Sequence, residues 1–175
     1  NVLVVHPALP VKSVKELIAL AKSRPNELNY GSSGPGGSDH IATELFASLA
    51  GTKFTNVSYK GGAPAMADLV AGNVQLMIAT MAVAVGQIKG GRLRPLGVTS
   101  NKRFELMPQI PTVAEAGVPG YEAVFWFGTF VPAGTPRAIV TRLNSEIRNV
   151  LQVPDVRQRL LESGLVATGS TVEEF

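Results

Sequence analysis

Apolar positions along this chain switch repeatedly between two spacings, and each switch marks a change of element. Val2-Leu3-Val4-Val5 is a solid apolar run of strand type. Ser13-Val14-Lys15-Glu16 has the form of a capping box, and Val14, Leu17, Ile18 and Ala21 follow at helical spacing until Pro25. Leu28 to Gly31 predicts a short strand. A helix over Asp39 to Ala50 carries the stripe Ile41, Leu45, Phe46 and Leu49, with Gly51 just past its end. Phe54 to Tyr59 predicts a strand, and Pro64 opens a helix that Gly72 closes. Val74 to Thr80 is nearly continuous in apolar character, as expected of a strand covered on both faces. Ala82 to Lys89 predicts a short helix closed by Gly90-Gly91, and Leu93 to Thr99 a further strand.

The pattern loosens after that. Asn101 to Pro111 predicts a long irregular connection. Thr112-Val113-Ala114-Glu115 is a second capping box, predicting one or two helical turns up to Gly117. Tyr121 to Val131 predicts an extended aromatic strand. Thr135-Pro136 precedes the longest predicted helix, with Ile139, Leu143 and Ile147 on one face. Asp155 to Ser163 predicts another, closed by Gly164. Ser170-Thr171-Val172-Glu173 reads as one more capping box, only two residues before Phe175, and this leads us to expect a fragment. Alternating strands and helices of these lengths imply an α/β fold with a mostly parallel sheet and, through right-handed crossovers, helices on both faces.

Composition narrows the class without changing the picture. The 175 residues are 45% hydrophobic and 17% charged, enough for a real core and too little charge for a disordered chain. The longest apolar stretch, Leu76 to Val85, is too short to span a bilayer. A net charge of +3 makes attraction to anions reasonable but gives no argument for nucleic acid, and the aromatic residues are too scattered to form stacking platforms. The absence of cysteine excludes disulfides, thiol catalysis and thiolate metal sites, and it suits an oxidising compartment.

Candidate chemistry concentrates in Tyr30-Gly31-Ser32-Ser33-Gly34-Pro35-Gly36-Gly37-Ser38-Asp39-His40, between a predicted strand and a predicted helix. Glycines allow the backbone close to a ligand, serines add donors, and a helix start supplies free N–H groups and a partial positive charge. Such a loop can cradle a carboxylate or a phosphate. Gly31-x4-Gly36-Gly37-Ser38 falls short of a nucleotide-binding P-loop because Gly37 stands where that motif has its lysine. The bland alternative is a turn that only joins strand to helix. His40 and Glu44, four apart, could form a metal pair, but a first-turn residue ordering the loop is the simpler reading. No serine elbow and no convergent acid–base pair are evident. Nothing calls for a catalytic residue, a metal or a cofactor. Arg92, Arg94, Lys102 and Arg103 form a loose basic cluster, read as a solvated face.

Several segments resemble a known family from one end of the chain to the other. They are Val2-Leu3-Val4-Val5-His6-Pro7, the loop from Tyr30 to His40, Tyr59-Lys60-Gly61-Gly62, Asp68-Leu69-Val70-Ala71-Gly72, Leu93-Arg94-Pro95-Leu96-Gly97-Val98-Thr99, Pro111 to Gly117, Trp126-Phe127-Gly128 and Val131 to Pro136. Their order and spacing resemble the periplasmic substrate-binding proteins of tripartite tricarboxylate transporters, the Bordetella uptake gene (Bug) family.

The resemblance implies a type II periplasmic-binding-protein-like fold, with residues 1–124 as the second, ligand-binding lobe and 125–175 as an incomplete return to the first. It implies a receptor in the periplasm that closes on a small carboxylate and delivers it to membrane subunits of a transporter. Ligand contacts are expected from Ser32, Ser33, Gly34, Gly36, Gly37, Ser38 and His40, with Thr80 reaching the far end of the solute. Family members often carry an aspartate where this chain has Ala79, which points to a non-amino acid such as a di- or tricarboxylate or an aromatic acid. With one lobe present, weak binding or none is expected of this chain, together with self-association through Ile139 and Leu143. The competing class is an α/β enzyme taking a phosphorylated or acyl substrate at the Gly/Ser loop.

Overall fold

Strand β1 (Val2–Val5) lies inside a five-stranded sheet in the computed structural model, which describes residues 1–175. The other strands are β2 (Asn29–Ser32), β3 (Thr55–Ser58), β4 (Leu76–Ala79) and β5 (Arg94–Val98), in the order β3-β2-β4-β1-β5. β2 pairs parallel with β3 and β4, whereas β1 pairs antiparallel with β4 and β5. Four of the five strands therefore point one way, as the sequence predicts of a mostly parallel sheet, and the reversed β1 makes two of the four pairings antiparallel.

All four residues of β1 and of β4 are buried, which explains why both read as unbroken apolar runs. Alternate side chains serve opposite faces. Leu3, Val5, Leu76 and Ile78 join a cluster with residues of helices α1 (Val14–Ser23) and α2 (Ser38–Ala50). Val2, Val4, Met77 and Ala79 join a second cluster with α3 (Gly62–Ala71) and α4 (Met81–Lys89). Helices thus cover both faces.

Local chemistry sets the helix ends. Ser13 Oγ accepts from Glu16 N–H at 3.2 Å, and Glu16 Oε2 accepts from Lys12 N–H at 2.6 Å. The carboxylate reaches one residue beyond the reciprocal bond of an ideal capping box. Gly51 (φ 63°) and Gly72 (φ 83°) close α2 and α3 in the left-handed region, where glycine carries no Cβ penalty.

The structure corrects several expectations. On α2, Ile41, Leu45 and Leu49 are 59%, 38% and 48% exposed, and only Phe46 of the predicted stripe is buried. The covered face is Asp39, Ala42, Thr43, Phe46, Ala47 and Ala50, because small residues let the helix lie close to β4. Phe46 is held by the rings of Phe54 and Tyr121, at 6.1 and 6.0 Å between centroids. Thr112 and Glu115 do exchange both capping-box bonds, at 2.9 and 3.0 Å, but the chain turns away before a helix forms. Tyr121 to Val131 is not a strand. Its backbone bonds are a local turn bond from Tyr121 N–H to Val118 O and a bond from Ala123 N–H to Thr99 O, with no strand ladder. Arg94 donates to the carbonyls of Leu9 and Val11, and Arg103 pairs with Glu115, so two of the four clustered basic residues have specific internal partners.

The chain divides into two compact units, Asn1–Phe125 and Trp126–Phe175. The second holds α5 (Arg137–Gln152) and α6 (Pro154–Glu162), neither with a buried residue. Ile139, Leu143 and Ile147 share a face of α5 as predicted. The last capping box forms one residue later than predicted, between Thr171 and Glu174, while Glu173 pairs with Arg137. No helix is long and apolar enough to cross a membrane.

Candidate functional site

β2, β3 and β4 point the same way, so their carboxyl ends lie along one side of the sheet. Each feeds a helix there: β2 leads to α2, β3 to α3 and β4 to α4. A helix cannot satisfy its own first N–H groups. Those of Ser38 and Asp39 on α2, Gly62 and Ala63 on α3, and Met81 and Ala82 on α4 make no hydrogen bond within the chain. Three helix starts thus gather unpaired donors and partial positive charge at the edge where ligands of parallel sheets sit.

The β2–α2 loop is folded by its own side chains. Asp39, 6% exposed, accepts from Ser33 N–H and Ser33 Oγ, both at 2.7 Å, and from His40 N–H at 2.8 Å. His40 Nδ1 accepts from Gly36 N–H at 3.1 Å, which leaves the proton of a neutral imidazole on Nε2. The His40 ring stacks on Tyr30, 6.3 Å between centroids. Gly37 N–H donates to Gly34 O. Gly34 (φ 131°) and Gly36 (φ 75°) supply the positive φ that the reversal requires. The neighbouring turn is laced to this loop, with Tyr59 N–H on Ser32 O and Gly61 N–H on Ser33 O.

The residues singled out from sequence therefore fall into two groups. Ser32 is fully buried and its hydroxyl donates to Asn56 Oδ1 at 2.8 Å. Ser33, Gly36, Gly37 and His40 are engaged in the loop's own bonds. Gly34 N–H, Ser38 N–H and hydroxyl, and the Thr80 hydroxyl have no partner within the chain. Thr80, the N-cap of α4, sits beside the loop's end of the sheet because β4 pairs with β2. Ala79 is 1% exposed within the second apolar cluster.

His40 and Glu44 do not act as a pair. Glu44 Oε1 accepts from the Tyr30 hydroxyl at 2.6 Å. Burial, and then that bond, push the Tyr30 phenol well above its ordinary range. Sequence reasoning overlooked Asp39 as the loop's organiser and the start of α3 as a donor pair. The signal for the second was present: Gly61-Gly62 directly precedes a helix with Pro64 in its first turn.

A single lobe of parallel strands and helix starts, with one reversed strand inside the sheet, defines a periplasmic-binding-protein-like α/β unit. The family model described as the tripartite tricarboxylate transporter family receptor, TctC, matches residues 1–171, and the chain belongs to that family. It is similar to BugT of Bordetella pertussis, 35% identical over 99% of this chain and 53% of that protein. Among solved structures it is similar to R. palustris Rpa4515 with adipate, 42% identical with a TM-score of 0.95 over 99% of this chain and 58% of that one. MatC from Rhodopseudomonas palustris with bound malate is 31% identical, with a TM-score of 0.87 over 95% of this chain and 56% of that one. The chain spans about half the length of the curated relatives it matches.

Proposed function

We propose that this chain supplies the donor-rich lobe of a periplasmic receptor for a small non-amino carboxylate. The observation that carries the reading is the convergence of three helix starts whose first N–H groups have no partner in the chain. Backbone amides of that kind satisfy a carboxylate taken out of water without a counter-charge. Gly34, Ser38 and Asp39 N–H, the Ser38 and Thr80 hydroxyls and the starts of α3 and α4 are the ligand groups in this reading. Ser32, Ser33, Gly36, Gly37 and His40 hold the loop in shape. An amine would need a free carboxylate nearby, and both oxygens of Asp39 are engaged by the loop. The adipate of the Rpa4515 structure and the malate bound to MatC support the same class of solute.

In this reading residues 1–124 form the ligand-binding lobe and 125–175 return to a first lobe, whose own loop completes the site. Closure is driven by a ligand that touches both lobes. Delivery to the membrane subunits of a tripartite transporter follows from the family. The match to a transporter receptor family, and neighbours holding adipate and malate, favour a receptor over an enzyme.

The test is an NMR titration of this chain with adipate and with malate. With one lobe, binding is expected in the millimolar range, with the shifts concentrated at the amides of Gly34, Ser38, Asp39 and Gly62. Micromolar affinity by calorimetry contradicts the one-lobe prediction. Shifts that avoid these amides, or no shift at saturating acid, overturn the site.

A further inference from the structure

We infer that Asp39 is the positioning residue of the β2–α2 loop and that its buried charge makes the site select a carboxylate over a phosphate dianion; this deepens the receptor reading and rests on it. Three donors converge on one carboxylate: Ser33 N–H, Ser33 Oγ and His40 N–H, all within 2.8 Å. Those are the groups that would serve an incoming anion if residue 39 were neutral and short. Asp39 instead ties the far side of the loop to the first turn of α2. Ser33, on the strand side, is thereby fixed relative to Ser38 and to the free N–H of Asp39 itself.

The packing around the same contact points the same way. A Cβ on Gly37 would lie 2.6 Å from Ser33 Oγ and 2.8 Å from Asp39 Oδ1. The φ of Gly37 is −61°, a value any residue adopts, so glycine is demanded there by the Ser33–Asp39 contact and not by backbone conformation.

Charge selection follows from the same arrangement. One negative charge already occupies the start of α2, and it uses part of the favourable potential of that terminus. The segment from Tyr30 to His40 contains no lysine or arginine to offset a second and third charge, and Lys60, the one cation in the turn bonded to the loop, has an exposed side chain. The unpaired donors are neutral amides and hydroxyls. A singly charged planar carboxylate group is matched by such donors, while a phosphate dianion meets the repulsion of Asp39 in a partly desolvated loop.

The experiment compares the 175-residue chain with D39N and S33A. Each is titrated with adipate and with inorganic phosphate at a pH where phosphate is a dianion, reading the Gly34 and Ser38 amide shifts. Amide hydrogen exchange is measured in parallel at Ser33, His40 and Phe46. In the unmodified chain adipate shifts these amides and phosphate does not. D39N raises the phosphate-to-adipate affinity ratio by roughly tenfold or more. It also speeds exchange at Ser33 and His40 while leaving Phe46, in the core, protected. S33A loosens the loop but keeps the charge, so its anion preference stays that of the unmodified chain. Equal response to both anions in the unmodified chain, or an unchanged ratio in D39N, overturns the selectivity. Unchanged exchange at Ser33 and His40 in D39N overturns the positioning role. Should neither anion shift any amide, the receptor reading and the selectivity fall together, and the exchange data still decide the positioning role.

Discussion

Replacing Gly37 by alanine isolates the internal clamp of the loop. The backbone at Gly37 (φ −61°, ψ 154°) suits alanine, so no conformational strain enters. The new methyl would stand 2.6 Å from Ser33 Oγ, 2.8 Å from Asp39 Oδ1 and 3.1 Å from Gly34 O. Room is made by swinging the Ser33 hydroxyl off Asp39 and turning the Asp39 carboxylate aside. That breaks a hydrogen bond to a charged, buried acceptor, worth about 1.5–3 kcal/mol. A loss of about 2 kcal/mol is expected. Urea unfolding followed by far-UV circular dichroism measures it. The control is Gly36→Ala. There a Cβ meets nothing within 4 Å, but φ is +75°, so the cost of about 1 kcal/mol comes from backbone conformation alone. In an S33A background the first cost falls by about 1 kcal/mol and the second does not change. A G37A protein within about 0.5 kcal/mol of the parent, or an equal cost in both backgrounds, refutes the clamp.

Phe46→Ala removes a fully buried ring from between Phe54 and Tyr121 and is expected to cost about 3–5 kcal/mol in chemical denaturation. Burial, then the hydrogen bond to Asp68, pushes the Tyr59 phenol up to about 12. A folded-state value above the unfolded one gives stability that is full below 10 and lost as pH rises through 12; Tyr59→Phe should flatten the alkaline limb of the stability profile. The Glu115 carboxylate is held below its ordinary value of 4.5 by the Thr112 N–H and then by Arg103. Its contribution is present above that value and lost as pH falls through the folded-state pKa, so E115Q should weaken the acid dependence of the profile. Leu143→Asp, on the exposed face of α5, should reduce any concentration-dependent association seen by sedimentation.

The sequence alone determined the α/β class and the order of elements from β1 to β5, and it singled out the β2–α2 loop as the candidate site. Those depend on local signals: the Ser13 cap, the glycines closing α2 and α3, and apolar runs at β1 and β4. The caps are satisfied by neighbours within a few residues, and the apolar runs, although their partners are distant, are visible as patterns in a short window. The tertiary structure decided the rest. Which side of α2 is buried depended on what lay beneath it, and the small residues Ala42, Thr43 and Ala47 allowed closer approach than Ile41, Leu45 and Leu49. The direction of β1 required knowing its partners. Above all, the serines and glycines of one loop looked equally available. Only their folded positions separate the donors that Asp39 and His40 consume from those left open at Gly34, Ser38 and Thr80. The physical reason is that a hydrogen-bond donor has one proton to give, and its recipient is settled by geometry in three dimensions.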